Sequence, residues 1–278
     1  MFKHVFGPVP SRRLGVSLGV DLVSPKSCNM NCVFCECGAT FKLTLKRSRF
    51  KDVEEIKNEI NEALKKIKPD YITFSGSGEP TLSKDIGEII DWIKKYTDVK
   101  VCVITNGLLL NDAEVVEELK KSDLIIPTLN SVDNMIFKKI NRPSVESDVS
   151  QLMGGLKNLS EKFSGKIYIE TFIIEGLNDS DEHTEKMSKF LKNLRFDKLQ
   201  LNSLDRPGTE TWVRPASKEA LERIKNAYKN YGIENVEIVG EVKELENKIK
   251  IDEELLKNME EKRNYTEKEL KKIYNFEK

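Results

Sequence analysis

The chain has few of the features that would place it in several large functional classes. Its 278 residues include only two histidines, His4 and His183, neither with an evident partner. His183 sits in a charged helical stretch and reads as a surface residue, so histidine acid–base chemistry is not expected. Excess charge is missing too: Lys+Arg and Asp+Glu both number 46, giving a formal net charge of zero and no electrostatic signature of a nucleic-acid or membrane partner. No apolar run approaches the ~20 residues that span a bilayer. The opening MFKHVFGPVPSRR has no apolar stretch of a secretory signal, and the chain is read as cytoplasmic. Internal repeats and low-complexity tracts are absent, which excludes solenoid architectures. There are five cysteines, and four of them (Cys28, Cys32, Cys35, Cys37) crowd one loop, too close together to staple a chain of this size. Metal binding is the better reading.

Apolar, β-branched runs at 16–23, 71–76, 99–106, 124–130, 167–174, 198–203 and 236–239 alternate with amphipathic stretches at 53–66, 85–96, 113–121, 149–163, 181–193 and 217–231. Continuous apolar strands separated by helices are the signature of a parallel sheet covered by helices. Ser180 and Ser217 sit where helix N-caps belong. From about residue 243 the composition turns charged and poor in glycine. Leu255, Met259, Tyr265, Leu270 and Tyr274 suggest two helices around a turn near Asn264, too short to bury a core alone and therefore docked on something larger. The expected organisation is a β/α unit over 1–242 and a helical appendage over 243–278.

Cys28-Asn-Met-Asn-Cys32-Val-Phe-Cys35 follows the first of these strands, in a loop at the strand's C-terminal end, where β/α barrels place their chemistry. Three thiolates can hold three irons of a 4Fe-4S cube and leave the fourth open to a ligand. A structural zinc site instead closes a tetrahedron with four ligands, and Cys37 is available as the fourth. Cys37 is otherwise an incidental loop thiol or a hydrogen donor beside the cluster. Cys102, inside an apolar strand, reads as a small core residue.

The C-x-x-x-C-x-x-C spacing, with Phe34 before the last cysteine, resembles that of the radical S-adenosylmethionine (SAM) superfamily. Phe74-Ser75-Gly76-Ser77-Gly78-Glu79-Pro80, after the next strand, resembles that family's glycine–glutamate segment. The resemblance implies a partial (β/α)6 TIM-like barrel, a 4Fe-4S cluster on Cys28, Cys32 and Cys35, and SAM bound by Gly76, Ser77, Gly78 and Glu79. Glu79 would meet the cofactor's ammonium group; read without the resemblance, it is a loop carboxylate near a helix start. Strand-end positions matching the family's cofactor contacts are Asn106, Asn130, Ile173 and Asn202. The implied activity is reductive cleavage of SAM to a 5′-deoxyadenosyl radical that abstracts hydrogen from a substrate, with ferredoxin or flavodoxin as electron donor. A small molecule, a peptide and an RNA all remain open as substrate, and a maturation enzyme acting on a protein or tRNA and a non-catalytic metal module stand as alternatives.

The segments Gly7-Pro8-Val9-Pro10-Ser-Arg-Arg-Leu-Gly15 and Gly19-Val20-Asp21-Leu22 resemble a group related to the wyosine-forming tRNA enzyme. Those enzymes carry a second cluster on earlier cysteines, and no cysteine precedes Cys28. Arg12 and Arg13 suit bidentate contact with a carboxylate or phosphate, or a salt bridge within the chain; Arg142 and Arg206 are comparable.

Overall fold

The computed structural model describes residues 2–241, 244–245, 248–250, 256–257, 259 and 266–275. The chain opens with an antiparallel hairpin, β1 (Val5–Ser11) and β2 (Gly15–Val20). A long loop follows, carrying two short strands, β3 (Ser27–Cys28) and β4 (Lys42–Leu43). Helices and strands then alternate: α1 (Val53–Lys66), β5 (Tyr71–Phe74), α2 (Ile86–Tyr96), β6 (Lys100–Thr105), α3 (Ala113–Leu119) and β7 (Leu124–Pro127). Next come α4 (Asn134–Asn141), α5 (Val149–Lys162), β8 (Lys166–Phe172), α6 (Asp181–Leu191), β9 (Lys198–Asn202), α7 (Lys218–Asn230) and β10 (Val236–Ile238). The C-terminal segment contributes β11 (Ile249–Lys250), α8 (Glu267–Ile273) and β12 (Tyr274–Asn275).

The main sheet runs β1-β2-β5-β6-β7-β8-β9-β10 and is parallel from β2 onward. Its outward side chains, among them Leu18, Ile72, Phe74, Val101, Val103, Ile125, Ile167 and Leu199, pack against Ile56, Ile60, Ile89, Ile90, Val116, Leu159 and Ile224 of the helices. Inward residues form a second, smaller core of Leu14, Tyr71, Cys102, Ile104, Leu124, Ile126 and Tyr168, which plugs one end of the barrel. Past this plug the inward positions turn polar or small, with Ser17, Gly19, Thr73, Thr128, Glu170 and Asn202 lining a cavity. One cavity lined from six strands requires a sheet that curls. Among the described residues β1 and β10 are not paired with each other, so the barrel is partial.

Six β/α units fit the expected (β/α)6 core, and β1 and β10 extend it at either edge. β1 was not among the expected strands. Pro8, Pro10 and Gly7 break the strand pattern, and they are tolerated because β1 is an antiparallel edge whose register shifts between Phe6 and Val9. Helix starts carry the capping chemistry expected of them: Ser180 accepts from the His183 amide and Ser217 from the Ala220 amide.

The C-terminal appendage is not purely helical. β11 pairs in parallel with β12, setting Ile249 beside Tyr274, within a cluster that includes Met259, Leu270, Leu245, Leu256 and Val9 of β1. The Tyr274 hydroxyl donates to the Pro8 carbonyl, fixing the segment to the barrel edge. The expected turn at Asn264, with Leu255 and Tyr265, lies outside the described residues. His183 also departs from the surface reading: it is 3% exposed, and its Nε2 lies 3.0 Å from the Ser131 hydroxyl. His4 is buried as well and pairs with Glu55 at 3.1 Å.

Candidate active site

The cysteine loop is held in place by contacts distant in sequence. The Val33 amide donates to the Ile140 carbonyl, and the Asn31 amide to the carbonyls of Asn141 and Arg142. Phe34 stacks on Phe172 of β8 with ring centroids 4.1 Å apart, in a side core with Val33, Ile140, Ile174, Leu204 and Val213. This apolar anchor orients Cys28, Cys32, Cys35 and Cys37, all half-buried and unbridged, along one cavity of about 300 Å³.

Burial pushes the Cys28 thiol well above its ordinary range and the Cys32 thiol up to about 12. Cys35 is raised as well, first by its hydrogen bond with the Cys37 thiol and then by burial. Thiols this reluctant to ionise need a cation to displace their protons. Among the described residues no three cysteine sulfurs lie within 4.8 Å of one another. A single tetrahedral zinc with bonds of ~2.3 Å brings its sulfurs to about 3.8 Å apart, closer than any three of these sulfurs lie here. Cys37 turns toward the neighbouring loop, where its thiol donates to the Gly76 carbonyl at 3.2 Å.

That loop, 75–80, is fastened to the cysteine loop. The Glu79 amide donates to the Ser27 carbonyl and the Lys26 amide to the Ser77 carbonyl, both at 3.1 Å. Asp21 accepts from the Ser77 hydroxyl at 2.8 Å. At Gly78 a Cβ would lie 1.9 Å from the Ser27 carbonyl oxygen, so only glycine allows the two loops to meet here.

Glu79 is buried and lines the cavity. Its carboxylate accepts from the Thr81 amide (3.1 Å) and hydroxyl (2.6 Å), the Thr105 hydroxyl (2.6 Å) and the Asn106 amide (2.8 Å). It also caps the 3-10 turn Pro80–Leu82, as its position before a helix start suggested. Desolvation nevertheless holds its pKa above the ordinary carboxylate value, with these donors pulling the other way. A cation placed beside it would relieve that cost.

Asn106 joins the two halves of the site. Its amide binds Glu79, while its side-chain Nδ2 donates to the Asn29 side chain and approaches the Cys28 sulfur at 3.6 Å. Asn202 also lines the cavity and donates to Glu170 at 3.2 Å. Asn130 and Ile173 do not line it. Asn130 is fully buried; its Oδ1 accepts from the Phe172 amide at 2.8 Å and its Nδ2 reaches Asn141 at 3.4 Å. Ile173 is buried, with its amide donating to the Asn202 carbonyl at 2.8 Å.

Sequence reading missed three members of the site. Asn141, at the end of α4, donates to the Cys32 sulfur at 3.5 Å. Asn29 receives Asn106. Glu170, a lone carboxylate inside the apolar strand β8, forms a buried ion pair with Arg13. A charge in an otherwise apolar strand was the available signal for Glu170; Asn141 and Asn29 carried none.

A family profile described as the Radical SAM superfamily matches residues 22–188. A protein named GTPase Obg from Brachyspira hyodysenteriae is 38% identical over 227 residues, covering 81% of this chain; the chain spans only 33% of that relative's length. A UPF0026 protein of Methanocaldococcus jannaschii is 33% identical over 222 residues, covering 79% of this chain and 69% of its own. Among solved structures, TYW1 with a lysine-pyruvate adduct bound shares the fold with a TM-score of 0.59 at 18% identity, over 77% of this chain and 73% of that one.

Proposed function

The chain belongs to the radical SAM superfamily, and from that membership we propose that it is an oxidoreductase-type enzyme with a 4Fe-4S cluster on Cys28, Cys32 and Cys35 and SAM bound beside it. When bound, the reduced cluster supplies one electron to the SAM sulfonium, giving methionine and a 5′-deoxyadenosyl radical that takes hydrogen from a substrate. The observation that carries this reading is Asn106, which contacts Glu79 through its amide and Cys28 through its side chain, so that the carboxylate and the sulfurs share one cavity.

The chain's own residues orient and shield. Glu79, held by four donors, presents a desolvated carboxylate to the cofactor's ammonium group. Gly76, Ser77 and Gly78 supply main chain at close range. Asn106 and Asn202 face the cavity as polar contacts, and Asn130 and Ile173 act from behind it as positioning residues. Asn106 and Asn141 donate to sulfurs, the kind of outer contact that tunes iron–sulfur centres. The plug of Leu14, Cys102, Leu124 and Ile126 closes the cavity floor to water.

Among the described residues no helix is long and apolar enough to cross a membrane. A cytoplasmic, low-oxygen setting with ferredoxin or flavodoxin as donor completes the proposal. The spacing of the sulfurs weighs against the single-zinc module.

The test is anaerobic: reconstitute with iron and sulfide, reduce, add SAM, and measure 5′-deoxyadenosine and methionine beside a Cys32→Ala control. Cleavage that depends on Cys32 is expected. A protein that takes up one zinc and leaves SAM intact would refute the reading.

A further inference from the structure

The hairpin turn between β1 and β2 presents two arginines to the cavity. Ser11 Oγ accepts from the amides of Arg13 (3.3 Å) and Leu14 (3.1 Å), so the turn is fixed before any ligand arrives. Three arginines line the cavity: Arg12, Arg13 and Arg206. Two are committed. Arg13 is paired with Glu170, and Arg206 binds both Glu36, at 3.3 Å, and Glu269 of α8. Arg12 has no hydrogen bond or ion pair among the described residues. Desolvation lowers its pKa, and the nearby Asp205, Glu36 and Glu170 offset this only in part. A guanidinium stays charged under these conditions, and a half-buried one without a partner is costly.

The carboxylates that line the cavity are already engaged, Glu170 by Arg13, Glu36 and Glu269 by Arg206, and Glu79 by its four donors. Asp205, the other carboxylate near Arg12, lies 4.0 Å from Arg206, and among the described residues no carboxylate forms an ion pair with Arg12. We propose that Arg12 is the docking point for a single anionic group, a carboxylate or phosphate, on the substrate of the radical reaction; this rests on the reading of the site given above. The planar fork of five N–H donors suits two oxygens at once.

Local charge also limits what that substrate is. Arg206 is shared by three carboxylates, Glu36, Asp205 and Glu269, so this part of the rim carries excess negative charge. One anionic group can be matched by Arg12, whereas a run of phosphates would meet Glu36, Asp205 and Glu269. A nucleic-acid backbone binds through several cations, and among the described residues lining this cavity Arg12 is the one arginine without an ion pair. The favoured substrate is a small molecule with one acidic group.

The experiment uses the anaerobically reconstituted holoprotein with saturating SAM and inorganic phosphate as probe, followed by line broadening of the phosphate ³¹P resonance; acetate is run in parallel as competitor. Saturable binding is expected, weakened about tenfold or more in Arg12→Gln and less in Arg12→Lys, which keeps the charge and loses the fork. Arg223→Gln, an exposed arginine, serves as the control. Binding equal in Arg12→Gln and wild type overturns the proposal, as does the absence of saturable binding up to about 50 mM. Phosphate binding seen without SAM but abolished by it assigns Arg12 to the cofactor's carboxylate and also overturns it. Phosphate bound through Arg12 by a protein that never forms 5′-deoxyadenosine sinks the radical reading alone.

Discussion

The side-chain amide of Asn141 donates to the sulfur of Cys32 across 3.5 Å, joining the end of a helix to a loop 109 residues earlier. An N–H directed at a cluster sulfur stabilises the more negative, reduced state. If Cys32 holds the proposed cluster, Asn141→Ala is therefore expected to lower that cluster's reduction potential. A hydrogen bond worth about 0.5–1.5 kcal/mol corresponds to a shift of roughly 20–60 mV for one electron. A redox titration followed by electron paramagnetic resonance checks this; an unchanged potential would show that the contact is only structural.

Cys37 provides a separate test of the ligand set. Its thiol points to the Gly76 carbonyl, so Cys37→Ala is expected to keep the iron and sulfide content of the wild type, while alanine at Cys28, Cys32 or Cys35 loses it. Iron and sulfide assays after reconstitution decide the matter. Loss of iron in Cys37→Ala would make Cys37 a ligand.

Gly78 and Gly176 form a matched pair. A methyl group at Gly78 meets the Ser27 carbonyl and must push the glutamate loop off the cysteine loop, whereas at Gly176 nothing lies within 4 Å and only the positive φ of 80° resists. Gly78→Ala is expected to cost about 1–3 kcal/mol and to weaken SAM binding severely. Gly176→Ala is expected to cost about 1 kcal/mol and to leave the cysteine and glutamate loops joined. Urea unfolding and equilibrium SAM binding separate the two.

His183 makes the stability depend on pH. Burial lowers its pKa from 6.5 to about 4. The folded state thus favours the neutral ring, so its contribution is complete above pH 6.5 and is lost as pH falls toward 4. Between pH 7 and pH 5 that loss is about 2 kcal/mol. His183→Asn is expected to flatten this part of the profile, measured as urea midpoints at the two pH values; an equal drop in the variant would refute the assignment.

What could be read in advance was what is local. The cysteine spacing, the glycine–glutamate loop and the strand–helix alternation each occupy one contiguous stretch, and each appears in the structure close to its expected bounds. Contacts made across the fold were not legible. Asn141 is an ordinary residue in a short helix until the barrel brings it to Cys32. Asn130 matched a cofactor-contact position, yet in the loop after β7 it is held behind the cavity wall by the Phe172 amide and Asn141. His183 was misread for a different reason: its immediate neighbours are charged, but His183, Met187 and Leu191 recur at helical spacing on one buried face. Proline hid β1 because the strand rules that exclude it apply to central strands rather than edges.

The bond from Tyr274 to Pro8 spans 266 positions of sequence. Loop closure of that length is entropically demanding, so this contact is expected to form after the elements between its ends have assembled. With it comes Glu269, which reaches Arg206 at the cavity rim. The perimeter of the cavity thus depends on contacts made by both ends of the described chain. The same contacts rest on a small apolar cluster apart from the main core, the kind of region expected to open at lower free-energy cost than the central sheet. Opening of this edge is then expected to let cavity contents exchange while the barrel around the cysteines stays assembled.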